Sequence, residues 1–231
     1  MIQTFFSTIF STIFLQFLHS KMPVNIASMN MRGQWAPCPS DSTKLNVTSA
    51  QGLASKNRRD FSPMTQVPGG YQRFHCFENW WQSKKVYDHL PHTLTEPWWL
   101  AQQEPHRRYP GSKGKTVLGA LHNGALLDYV SSRKMVYVPY YRDLIQGREM
   151  LQYWIDQVQQ GHDVAVYDFD GPRTEDGGVT CLQVTEQLLI DKINDTTHPF
   201  GHGYVVASIL AGIPIHKYCF HYVHDEMDES F

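Results

Sequence analysis

Residues 163–169 read Asp-Val-Ala-Val-Tyr-Asp-Phe, a short apolar run that ends among acidic residues. A run of this length between Gly161 and Gly171 reads as a buried strand. Helical patterns flank it. Leu144, Leu151, Trp154, Ile155 and Val158 form a stripe before it. Residues 185–193 and 203–211 read as two more helices after it. A buried strand needs cover on both faces, so the expectation is an α+β fold with helices in the majority. With 42% hydrophobic and 13% aromatic residues, the chain is too apolar to be disordered throughout, and its 231 residues fit one domain.

The pattern is uneven along the chain. Residues 1–56 show no lasting period of 2 or 3.6 and read as a poorly ordered tail or linker. Their first part is an apolar run too short to span a membrane. No Lys or Arg precedes it, so it fits a signal peptide or transit peptide poorly, and Met22, Met29 or Met31 is an alternative start. The folded domain is expected over 57–222, with an acidic tail at 223–231. Within it, residues 77–88 read as one helix and Thr95 as the cap of another. Asn123-Gly124 signals a hairpin, Ser131 or Ser132 a cap, and Pro139 the start or kink of a helix reaching Gln159. Cys38, Cys76, Cys181 and Cys219 are widely spaced, which reads as scattered reduced thiols of an intracellular protein, cytoplasmic or nuclear. Secretion or organelle import through the apolar start is the alternative.

Charge and spacing exclude several functions. Lys plus Arg number 20 against 22 Asp plus Glu, so bulk charge does not hold this chain on nucleic acid. Gly111-Ser112-Lys113-Gly114-Lys115-Thr116 resembles a phosphate-binding loop, but Tyr109 stands where that loop needs a glycine. Its basic residues, with Arg107 and Arg108, can still meet a phosphate as point charges. Asp168-Phe169-Asp170-Gly171 is similar to the start of a haloacid dehalogenase phosphatase, but Pro172 follows and too little chain remains. The two Asp read instead as polar groups at a strand end beside a pocket. His216, His221 and His224 match no metal-ligand spacing, and no metal is expected.

Two segments carry the chemistry. In Phe77-Glu78-Asn79-Trp80-Trp81-Gln82-Ser83-Lys84-Lys85, Glu78 and Gln82 are four apart and share a helix face. A carboxylate beside aromatics can have a raised pKa suited to acid–base work. Residue types fit equally a helix packed by its aromatics, with Glu78 solvated. In Pro199-Phe200-Gly201-His202-Gly203-Tyr204, the glycines allow close backbone approach and a helix start can receive an anion. A tight turn needing glycine explains the same residues.

Together these segments resemble, distantly, the NADAR superfamily. Phe61-Ser62-Pro63-Met64 corresponds to its start motif. Glu78 through Lys85 is similar to its central helix, with Asn79 in place of His. Phe200-Gly201-His202-Gly203 is similar to its late turn, with Phe200 in place of Trp. The resemblance implies N-glycosidase chemistry on ribosylated compounds, such as phosphoribosyl-aminopyrimidines or ADP-ribose on guanine, free or within nucleic acid. It needs no metal or redox cofactor. Glu78 would stabilise the sugar cation or activate water. Lys84 would orient Glu78 or contact a phosphate. Trp81 would stack on the base, with Gln82 on the same face. Asp168 or Asp170 would bind ribose hydroxyls, and Gly201, His202 and Gly203 would hold the phosphate. Arg108 and Lys115 are further candidate anion contacts. The alternatives are a non-catalytic ADP-ribose or nucleotide-binding module and, more weakly, a nucleic-acid-associated protein.

Overall fold

In a computed structural model, residues 24–219 are described. The apolar start, the acidic tail, His221 and His224 lie outside them.

Strands β1 (Val24–Ser28) and β2 (Thr43–Asn46) come first, followed by helix α1 (Lys56–Phe61). A hairpin of β3 (Gln66–Tyr71) and β4 (Phe74–Cys76) runs directly into α2 (Phe77–Ser83). Next are β5 (Lys85–Tyr87), α3 (His92–Leu100), β6 (Val117–His122) and β7 (Ala125–Leu127). A helical stretch follows: α4 (Tyr129–Ser132), a π turn (Arg133–Tyr137), α5 (Val138–Ile145) and α6 (Glu149–Gln159). Then come β8 (Val164–Asp168), β9 (Cys181–Gln183), α7 (Glu186–Asn194) and α8 (His202–Leu210).

The result is a mixed α/β domain with three sheets among the described residues. The four-stranded sheet has the order β2-β8-β1-β9. β8 runs parallel to both neighbours and β9 antiparallel to β1. All five residues of β8 are buried, as its unbroken apolar run requires of an inner parallel strand. Helix α8 is apolar nearly all round and packs on β1 and β8. On its other side α5 and α6 join the core through Tyr141, Ile145, Leu151 and Trp154.

The tail expected over 1–56 is corrected for its described part. β1 is an inner strand of the sheet, and β2 flanks β8. Val24-Asn25-Ile26-Ala27-Ser28 has only two β-branched residues, so its strand state comes from pairing on both sides rather than from local preference. Buried Ser28 donates from Oγ to the Thr180 carbonyl (3.2 Å) and accepts from the Thr180 N–H (2.9 Å). The reading of four reduced thiols is also corrected: Cys38 and Cys181 form a disulfide that ties the β1–β2 connection to β9. Cys76 and Cys219 are buried thiols.

Several local boundaries move. The helix expected over 77–88 stops at Ser83, because the chain turns into β5 to pair with β6. Helix α3 begins at His92, and Thr95 is an interior residue whose hydroxyl donates back to the His92 carbonyl. Asp128, not a serine, caps α4 by accepting from the N–H groups of Val130 and Ser131. Gly147, at φ 77°, divides the expected 139–159 helix in two. The Asn123-Gly124 hairpin forms as expected, with both residues at positive φ.

Candidate active site

Helix α2 begins where two segments meet. The Glu78 N–H donates to the Pro63 carbonyl (2.8 Å), which sets the Phe61–Met64 segment against the helix start. Phe77 and Trp80 face the core and stack edge-on with Tyr71, Tyr137 and Tyr141. The opposite face carries Glu78, Trp81 and Gln82 to a cavity of about 280 Å³. Gln82 Nε2 donates to Glu78 Oε1 (2.8 Å), the contact that their four-residue spacing allows. Glu78 Oε2 has no hydrogen bond to the described residues. Trp81 lies against Tyr137, with ring centroids 5.2 Å apart, and both rings line the cavity. A second lobe of about 220 Å³ adds Asp168, His202 and Arg107. Glu78, Tyr137 and Asp170 line both lobes and so form the wall between them.

The other wall is the C-terminal end of β8 and the start of α8. Asp168 ends the strand and Asp170 lies two residues on. A Cβ built on Gly201 would stand 2.6 Å from Asp170 Cβ, and one on Gly203 would stand 2.5 Å from Asp168 Cβ. These glycines are there for close approach. The anion at the helix start is the protein's own: the Gly203 N–H donates to Asp168 Oδ2 (2.8 Å), with His202 Nδ1 3.4 Å from the same oxygen. Of the three residues expected at a ribose phosphate, Gly203 has its N–H taken by Asp168, while Gly201 lines the larger lobe and His202 the second. His202 Nε2 donates to the Val47 carbonyl (3.0 Å), so the segment read as tail also fixes this imidazole.

Burial dominates the electrostatics. It raises the pKa of Glu78, against the opposing pull of Lys85, Gln82, His202 and Arg107. Burial and then the Asp168 charge push Asp170 up to about 6. Burial lowers the pKa of Lys85, opposed by the charge of Glu78. Two carboxyl groups and an amine thus hold their neutral forms more readily here than in water.

Not every expected residue arrives. Lys85, not Lys84, is the lysine of the cavity. Helix α2 ends before both, and the turn into β5 sends Lys84 Nζ over the Trp80 ring, 5.6 Å from its centroid. Arg108 is exposed, but its charge reaches Lys85. Lys115 is exposed and lines neither lobe. Asn79, completely buried, accepts from the His106 N–H (2.9 Å) and donates to the Glu104 carbonyl (2.8 Å). It therefore clamps the segment that delivers Arg107 and Arg108. Phe200 of the late turn also lines the cavity, and Tyr137 and β6 residues Val117 and Leu118 do so without a clear sign in the sequence. Only the pairing of β5 with β6 brings that hairpin over the site.

No protein-family model, curated protein or solved structure matches the chain.

Proposed function

We propose that this chain is an N-glycosidase that hydrolyses the C1′–N bond of a ribosylated base, free or as an ADP-ribose or phosphoribosyl compound. The observation that carries this reading is Glu78, a half-buried carboxyl with raised pKa on the wall between two cavity lobes, which it lines with Asp170 and, in the larger lobe, Trp81. Cleavage of a C1′–N bond develops positive charge on the ribose. Trp81 and Tyr137 offer flat faces for the base, and Asp170 bonds the ribose hydroxyls. As the C1′–N bond breaks, its electron pair leaves with the base, which takes up a proton from solvent, and the proton that Glu78 later receives from water returns to solvent. Water then forms the new C1′–O bond and gives a proton to Glu78. The charge of Lys85 opposes the effect of burial on Glu78 and so favours its ionised form. The likeness of the Glu78 helix and the Gly201–Gly203 turn to the NADAR superfamily points the same way.

The test is a mass-spectrometric screen in ¹⁸O-labelled water. The substrates are phosphoribosyl-aminopyrimidines, ADP-ribosyl-guanosine DNA, NAD and ADP-ribose. Free base together with ¹⁸O in the sugar product supports the reading. Binding without turnover of any compound would replace it with a nucleotide-binding module.

A further inference from the structure

The two faces of the four-stranded sheet have unequal cover. Alternate residues of β1 and β8 divide between them: Ile26, Val164 and Val166 enter the large core with α8, whereas Ala27, Ala165 and Tyr167 enter a small apolar cluster of their own. The cover of that small cluster is a connecting segment, residues 29–38, and not a helix. The Ala36 N–H donates to the Ser28 carbonyl (2.9 Å), and the Tyr167 hydroxyl donates to the Ala36 carbonyl (2.8 Å). The disulfide of Cys38 with Cys181 then pins the end of the segment to β9.

This covered face is the back of the site wall. Phe169 packs in the small cluster and also lines the second lobe, between Asp168 and Asp170. The Met29 N–H donates to the Asp168 carbonyl (3.1 Å), and the Gly171 N–H donates to the same group (3.3 Å). Arg173 Nη2 joins the carbonyls of Met29 (3.1 Å) and Phe169 (2.7 Å). A Cβ on Gly171 would stand 2.5 Å from the Ala27 carbonyl oxygen, so the wall lies directly on β1. Both Cys38 and Cys181 are half-buried, which leaves their bond within reach of a small thiol.

We propose that the Cys38–Cys181 disulfide is a redox modification site that sets the second lobe: a dithiol reduces it, releases residues 29–38 from the sheet and loosens the wall at Phe169 and Asp170. A thiolate of the dithiol attacks one of the two sulfurs, and the protein S–S bond breaks as a mixed disulfide forms. The displaced cysteine takes a proton. The second thiol of the reagent then closes the reagent's own disulfide and frees the other cysteine. The protein gains two electrons and two protons, and the dithiol loses them.

The test uses the full chain with dithiothreitol and needs no substrate. The denatured protein is expected to take up two iodoacetamide groups before reduction, at Cys76 and Cys219, and four after it. In ¹H–¹⁵N spectra of the native protein, the amides of Met29, Ala36 and Gly171 are expected to exchange about ten- to a hundred-fold faster once reduced, while those of α8 hold within about two-fold. Reoxidation should restore the slow exchange, and Cys38→Ser with Cys181→Ser should reproduce the reduced state. If that variant does not fold, the reduced and reoxidised wild type decide. Four iodoacetamide groups before reduction would overturn the proposal, since no disulfide then exists to be reduced. Unchanged exchange at Met29, Ala36 and Gly171 would overturn it in favour of a bond with no hold on the wall. Equal loss of protection in α8 would overturn it in favour of a bond that holds the whole fold.

Discussion

Glu78 and Asp168 are both carboxylates at one cavity, yet their surroundings differ. Asp168 is 1% exposed and receives a backbone N–H from Gly203, with the His202 ring beside it. Its negative charge complements the α8 helix start, and two glycines exist so that it can come that close. Glu78 has one amide contact, from Gln82, and its other oxygen is left to the cavity. One wall satisfies its acid with protein. The other leaves an acid under-satisfied, and burial raises its pKa. An acid already bonded to the frame holds the frame. An acid short of partners is available to a substrate.

Asp170, close to both, gives a stability effect that depends on pH. Its folded pKa is about 6 against an ordinary 3.8, so its contribution to stability is full below pH 3.8 and is lost as pH rises through about 6. Asp170→Asn is expected to unfold at slightly higher denaturant than the wild type above pH 6, by less than about 1 kcal/mol because solvent screens this exposed residue, with the gap closing below pH 4. Denaturant melts across that range check it, and a gap independent of pH would contradict it. Asp168→Ala should cost about 1–3 kcal/mol at neutral pH, since it leaves the Gly203 N–H buried without a partner. If that variant melts like wild type, the division between the two acids fails.

Lys85→Ala sharpens the other side of the comparison. Lys85 holds the pKa of Glu78 down, so its loss moves the acid limb of the kcat/KM profile to higher pH, with about ten-fold less activity at neutral pH. A pH–rate profile reads this directly. The smallest effect is expected from Lys84→Ala, which loses a cation–π contact with Trp80 worth about 0.5–1 kcal/mol. Its melting point should fall slightly and its activity should hold.

The sequence was legible where the signal was local. The apolar run ending at Asp168, the Asn123-Gly124 hairpin, and the shared face of Glu78 and Gln82 all follow from period and spacing. β1 was not legible: its Asn25 and Ser28 break the apolar pattern, and its partners lie more than 130 residues away, Val24 against Val164. Lys84 and Lys85 could not be separated, because their roles depend on where α2 yields to β5. The glycines of the α8 turn showed a need for close approach but not that Asp168 was the group approaching.

The most direct measurement compares base release by wild type, Glu78→Gln and Asp168→Ala, each with its melting curve. Glu78→Gln is expected to lose about 10²- to 10⁴-fold in rate while melting no lower than wild type. Asp168→Ala is expected to show its main loss in stability. Undiminished base release by Glu78→Gln, or no release from any riboside by the wild type, would contradict the account.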